Sequence, residues 1–154
     1  MRALITLLRN ALRCQSGTAA MEGIIVMPLA ISLMVGGVEF GRILSAYSTA
    51  DKSMRSATRY LAQVPAEGVC TWGLTNAQNL AVYGRIDGTG TELIKDWTPA
   101  NVTLEVIDCA AAFPDPAVIE LRAAVPFPLA VANYLGLSNP FTLNVRHQER
   151  HIGE

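Results

Sequence analysis

The chain has no block of lysine and arginine. Its 12 basic residues stand against 13 acidic ones, and no basic cluster is interleaved with aromatics, so no electropositive field exists to hold a phosphate backbone. Nucleic acid is not an expected partner. Catalytic signatures are equally scarce. There is no Walker loop, dinucleotide glycine fingerprint, G-x-S-x-G elbow or C-x-x-C pair. Asp108 and Cys109 stand without a histidine nearby, which leaves nucleophilic catalysis without a set of residues. His147 and His151 are four positions apart, the spacing that would join two metal ligands on one helix face. They follow a strand-like run, however, and no third ligand has a matching spacing. A solvated tail is expected there, with no metal site and no cofactor, and the chain does not read as an enzyme. Internal repeats and low-complexity tracts are also missing.

Cysteine is sparse but unevenly placed. Cys14 precedes the most apolar stretch, while Cys70 and Cys109 follow it, 39 positions apart. In an oxidising compartment a Cys70–Cys109 bridge would close a long loop, worth on the order of 4 kcal/mol by chain entropy. Two unpaired buried thiols are the alternative, because spacing alone does not fix connectivity.

What the chain does have is apolar residues. Hydrophobic types make up 51% of its 154 residues, and much of the excess lies between Thr18 and Leu44. The remainder has an ordinary globular composition, so one anchor and one small domain fit the length. The sixteen residues from Gly23 to Val38 carry no charge. As a helix at about 1.5 Å per residue they reach about 24 Å, short of a roughly 30 Å hydrocarbon core. Extending the span from Thr18 to Gly41 gives about 36 Å, and this places Glu22 inside the membrane or at its edge.

Arg2, Arg9 and Arg13 precede the span with no acidic residue among them, which favours a cytoplasmic N-terminus. Arg42, Lys52, Arg55 and Arg59 on the other side weaken that asymmetry, and the cysteine pair restores it. The small residues Ser16 to Ala20 lie before the apolar core, the reverse of an ordinary secretory signal. A cut there would remove a basic leader and leave the helix attached.

Beyond the span, Ile43, Tyr47, Ala50, Met54, Ala57 and Leu61 recur at helical spacing, with most charges off that stripe. This predicts one helix from about Thr18 to Gln63, ended by Pro65 and Gly68. Gly37, Gly41, Ser45 and Thr49 put a small residue at every fourth position, a row that lets two helices approach closely. The sequence thus divides into a leader over 1–17, a helix over 18–63 and a domain over 64–154.

In that last part Thr75 is the expected N-cap of a short helix, Asn76 to Tyr83, ended by Gly84. Gly88, Gly90 and Pro99 mark loops. Val102 to Cys109 and Val118 to Val125 read as strands, and Phe141, Leu143 and Val145 alternate with polar residues in a third. Pro126 and Pro128 should interrupt the chain, and Leu129 to Leu137 should form a helical turn ended by Gly136. The expected fold class is α+β: a long transmembrane, pilin-like helix followed by a small antiparallel sheet.

Several of these segments together resemble a known family. Ser16-Gly17-Thr18-Ala19-Ala20-Met21-Glu22, then Gly23 to Leu29 with Pro28, then Val38-Glu39-Phe40-Gly41-Arg42, are similar to the start of TadE-like proteins. Those are pilin-like components of the tight-adherence (Flp-type) pilus machinery. Val118 to Leu129, Leu137 and Thr142 to Arg146 resemble that family's closing strands. The resemblance implies a substrate of a prepilin peptidase, cut after Gly17, so that Thr18 becomes the N-terminus and Glu22 the fifth mature residue. The glutamate would pair with the Thr18 amine of its own or a neighbouring subunit; alternatively it rests at headgroup level. Gly23 departs from the aromatic residue common after this glutamate.

The resemblance further implies a minor pilin (pseudopilin) or assembly component in the bacterial inner membrane, with the C-terminal domain periplasmic. Its partners would be other pilin-like subunits, pilus-assembly membrane proteins and the lipid bilayer, and it would serve secretion and cell adhesion. Helix packing would draw on Gly37, Gly41, Ser45, Ile43, Tyr47, Met54 and Leu61. The competing expectation is an uncleaved, signal-anchored periplasmic protein that binds a ligand or partner.

Overall fold

The structure, a computed structural model, describes residues 16–105, 118–130, 132, 136 and 141–153, with side chains from Met21 onward. The first element is α1, Ser16–Ala62, a helix of 47 residues that closely follows the expected bounds. Pro28 lies inside it. Proline has no N–H to offer the carbonyl one turn earlier, a loss that apolar membrane helices tolerate. The Ser32 hydroxyl donates to the Pro28 carbonyl at 2.8 Å in the next turn.

The chain forms two compact units, Met1–Phe40 and Gly41–Glu154. The second begins within α1, because the C-terminal part of α1 builds its core. Ala50, Met54, Ala57 and Leu61 are wholly buried, and Ile43 and Ala46 pack at the edge of the same cluster. Tyr47 does not join them; it is 46% exposed. Helical spacing explains this, since the step from Ile43 to Ala50 passes through position 46, and 47 falls at the margin. Thr58 is buried on this face because its hydroxyl donates to the Met54 carbonyl at 2.8 Å, satisfying the group inside the helix.

α1 ends against the C-terminal segment. The Ile152 and Gly153 amides donate to the Ala62 carbonyl at 2.9 and 3.1 Å, supplying donors that a helix C-terminus lacks. A Cβ at position 153 would collide with the Val64 carbonyl, so glycine alone fits there. Pro65 then precedes a short helical turn, α2 (Ala66–Gly68), of which Gly68 is the last residue. A π-helical segment, Val69–Gly73, is kinked at Thr71 and leads into α3, Leu74–Tyr83. Thr75 is not its N-cap. The chain arrives already helical, and the Thr75 hydroxyl donates back to the Thr71 carbonyl at 3.4 Å. Gly84 closes α3 as expected, at φ +69 with its N–H on the Leu80 carbonyl. The Gln78 side chain ties α3 to β1, donating to the Val102 carbonyl at 2.9 Å.

Three strands form an antiparallel sheet in the order β1-β2-β3: Val102–Leu104, Val118–Phe127 and Phe141–Arg150. The first expected strand beyond Glu105, including Cys109, and most of the turn expected between Leu129 and Leu137 lie outside the described residues. Ile119, Leu121, Ala123, Val125 and Phe127 of β2 face α1, with Leu143 and Val145 of β3 beside them.

Contrary to expectation, β2 continues through Pro126, which pairs with Thr142. The register explains why. The Glu120 carbonyl points toward β1, where it accepts the Glu105 amide at 3.0 Å, and every second residue of β2 shares that direction. β1 reaches only to Ala123, so the missing Pro126 N–H falls on an open edge and costs no ladder bond.

Candidate functional site

The sequence motifs converge on α1, and the two units treat it differently. From Met21 to Phe40 its apolar side chains are exposed, among them Ile24, Ile25, Met27, Leu29, Ile31, Leu33, Met34 and Val38. The helix's most apolar window has mean hydropathy 1.9 and almost nothing in it is buried. So much exposed apolar surface has no water-compatible explanation in a soluble monomer. Lipid or neighbouring apolar helices must cover it.

Gly17 and Thr18 fall in the first described turn of α1. Glu22 follows Thr18 by one turn and is exposed. Gly37, Gly41 and Ser45 are also exposed, and an added Cβ at either glycine would meet no atom within 4 Å. Thr49, last in the small-residue row, returns its hydroxyl to the Ser45 carbonyl at 2.9 Å. This row is open surface.

Met54 and Leu61 are not. Both are buried among the chain's own residues, so their packing is internal and neither offers a face to another molecule. Ile43 is partly spent in the same way, and Tyr47 remains at the surface. Cys70 is half-buried beside this core, while Cys109 lies outside the described residues.

The histidines do not form a solvated tail. His147 belongs to β3, opposite Leu121, and the His151 ring nitrogen lies 2.8 Å from the Val64 carbonyl. Along a strand and its extension four positions span about 13 Å, so the two rings do not meet as they would one turn apart on a helix. Among the described residues no group of three His, Cys, Asp or Glu could hold a metal.

The sequence offered no sign of a polar cluster on the sheet face turned away from α1. There Glu120 is only 3% exposed, with Gln148 donating to one carboxylate oxygen and the Arg122 Nε donating to the other at 2.7 Å. The Gln148 and Arg122 hydrogen bonds hold its carboxyl below the usual glutamate range. Glu105, 3.7 Å from Arg122, completes a chain of alternating charge. An open cavity of about 560 Å³ adjoins it, lined by Thr103, Glu105, Arg122, Asn144 and Arg146. It has hydrogen-bonding groups but no nucleophile or metal set.

A depressed folded-state pKa contributes stability above the unfolded value that is lost as pH falls through the folded value. Acid titration of the unfolding midpoint should therefore show Glu120 weakening the fold below pH about 4.5, the ordinary glutamate value. Glu120→Gln should flatten that acid limb and leave the neutral-to-alkaline limb parallel to wild type. An unchanged acid limb would remove Glu120 from the account.

One exposed apolar helix near the N-terminus, joined to an α+β unit, fits a single-pass membrane protein. Residues 17–59 match the model of a family described as TadE-like protein, which covers most of α1 and suggests a Tad pilus-related protein. No curated protein and no solved structure matches.

Proposed function

We propose that this chain is a pseudopilin-like or assembly component of a tight-adherence pilus, processed by a prepilin peptidase after Gly17 and held in the inner membrane with residues 41–154 in the periplasm. The observation that carries this reading is the division of α1: its C-terminal part is consumed by the chain's own core, while Met21 to Phe40 and the row Gly37, Gly41, Ser45 stay uncovered. Such a helix supports lateral packing with other pilin-like helices, and small residues let their backbones come close. Glu22 then has a role, because a carboxylate in lipid needs a cationic partner and the Thr18 amine released by cleavage is one turn away.

Mass spectrometry of the protein from its native host should find Thr18 at the N-terminus. An intact leader in cells containing the peptidase would end the processing claim. Glu22→Ala should be cleaved yet fail to assemble; normal assembly would dispose of the amine pairing. The proposal also includes a Cys70–Cys109 bridge in the periplasm. Non-reducing peptide mapping should recover the two cysteines in one cross-linked peptide, and finding both alkylated without reduction would refute it.

A second reading, an uncleaved anchored protein whose domain binds a ligand or partner, is favoured by the open cavity at Arg122 and Arg146. Residues 41–154 alone, secreted to the periplasm, would then restore function. Under the pilin reading they would not.

A further inference from the structure

The two ends of the α1–sheet unit differ in chemistry. At one end the Arg42 guanidinium carbon lies 5.3 Å from the centroid of the Phe127 ring, and Phe127 pairs with Phe141 across the sheet. At the other end Arg59 approaches Glu149 at 4.0 Å, and the Ala62 carbonyl accepts from Ile152. β2 thus runs toward the end at which the apolar part of α1 joins the unit, and β3 starts back from it. Phe127 and Phe141 therefore both lie at that end.

This end is apolar in a way the rest of the unit is not. Between Arg122 and Arg146 there is no Asp, Glu, Lys or Arg over 23 positions, a longer uncharged run than the sixteen of the span's core. Phe141 is 45% exposed and Leu44 is 53% exposed, Pro128 is exposed, and Leu129 only half enters the core. Arg42, with its guanidinium over an aromatic ring and its charge always present, has the chemistry of a residue at the headgroup level.

We propose that this end of the unit rests on the lipid surface, with Phe141 and the flanking Pro128–Leu129 in the headgroup–acyl boundary and Arg42 among the phosphates. The inference rests on the reading of α1 as a membrane span. Lipid is the occupant because the same chain continues into the span at this end. The tether holds the surface beside the bilayer at high effective concentration, so a few apolar contacts suffice to dock it. Docking would fix the orientation of the periplasmic unit before it meets a partner.

The test uses the full chain in phosphatidylcholine–phosphatidylglycerol nanodiscs, one chain per disc, with acyl chains brominated near the carbonyl. Phe141→Trp should lose emission in brominated discs relative to plain ones, beyond the baseline of Trp72 and Trp97 in the wild type. Ile152→Trp, at the opposite end, should not. Met34→Trp, in discs brominated at mid-chain, reports the span. Quenching at position 34 without quenching at 141 overturns the proposal and leaves the anchor intact. No quenching at 34 overturns the anchor and the proposal with it. Quenching or shielding at 141 that appears only with several chains per disc assigns the surface to a second copy, which also overturns it. If Phe141→Trp loses its near-ultraviolet circular dichroism, Pro128→Trp is read in its place by the same criteria.

Discussion

Met54→Ala is expected to destabilise the 41–154 unit by about 2–5 kcal/mol, the usual range for truncating a large buried aliphatic side chain. Met54 is wholly buried between α1 and the sheet-bearing part of the chain. Its truncation removes transfer energy and leaves a cavity that the close-packed surroundings fill only in part. Neighbouring Ala50 and Ala57 are too small to repack into the space. Tyr47→Ala, seven positions before Met54 and 46% exposed, should cost within about 0.5 kcal/mol, as surface changes do. Urea unfolding of the full chain in micelles, followed by near-ultraviolet circular dichroism of the extramembrane unit, separates the two. Equal losses would mean that the apolar stripe of α1 is held by contacts between molecules and not within one. The contrast also bears on function. An assembly defect in Met54→Ala would arise from unfolding, whereas one in Tyr47→Ala would point to a lost contact.

The elements legible in the sequence were those whose signal lies in periodicity. Four-and-three spacing from Ile43 to Leu61 marked α1, and alternation over Val102, Val118 and Phe141 marked the strands; those signals are physical consequences of burying one face. Gly84 was legible as a cap because its positive φ is intrinsic to the residue type. What escaped was set by tertiary context. Pro126 is harmless in β2 only because β1 stops at Ala123, a fact of register. Thr75 has the chemistry of a cap, but the helical chain before it removes the need. β3 continues to Arg150 through residues that are polar on both faces, where alternation no longer marks a strand. The docking of Ile152 and Gly153 onto Ala62 uses backbone amides and leaves only the glycine as a trace. Glu120 was only half legible: Arg122 shares its face by strand alternation, but Gln148 reaches it only when β2 and β3 pair.

Ile31→Asp should detach the chain from the membrane. Ile31 is exposed near the middle of the uncharged run, where an aspartate costs roughly 2.5–3.5 kcal/mol on insertion scales and the isoleucine it replaces loses a few tenths more. That is on the order of a hundredfold in an insertion equilibrium. Carbonate extraction should find the wild type in the pellet and the variant largely in the supernatant or degraded. Gly37→Leu is the matching control, because it adds apolar bulk within the same span. It should remain in the pellet, while the bulk at an open, small-residue position should impair whatever close helix packing the row supports. If Ile31→Asp stayed fully membrane-bound, the exposed stretch would not be the anchor, and its apolar surface would have to be covered by protein. If both variants stayed bound and assembled, the helix would be an anchor by neither its apolarity nor its small residues. Membrane retention lost in the first variant and kept in the second, with assembly lost in both, is the pattern that follows when one helix serves as span and as packing element.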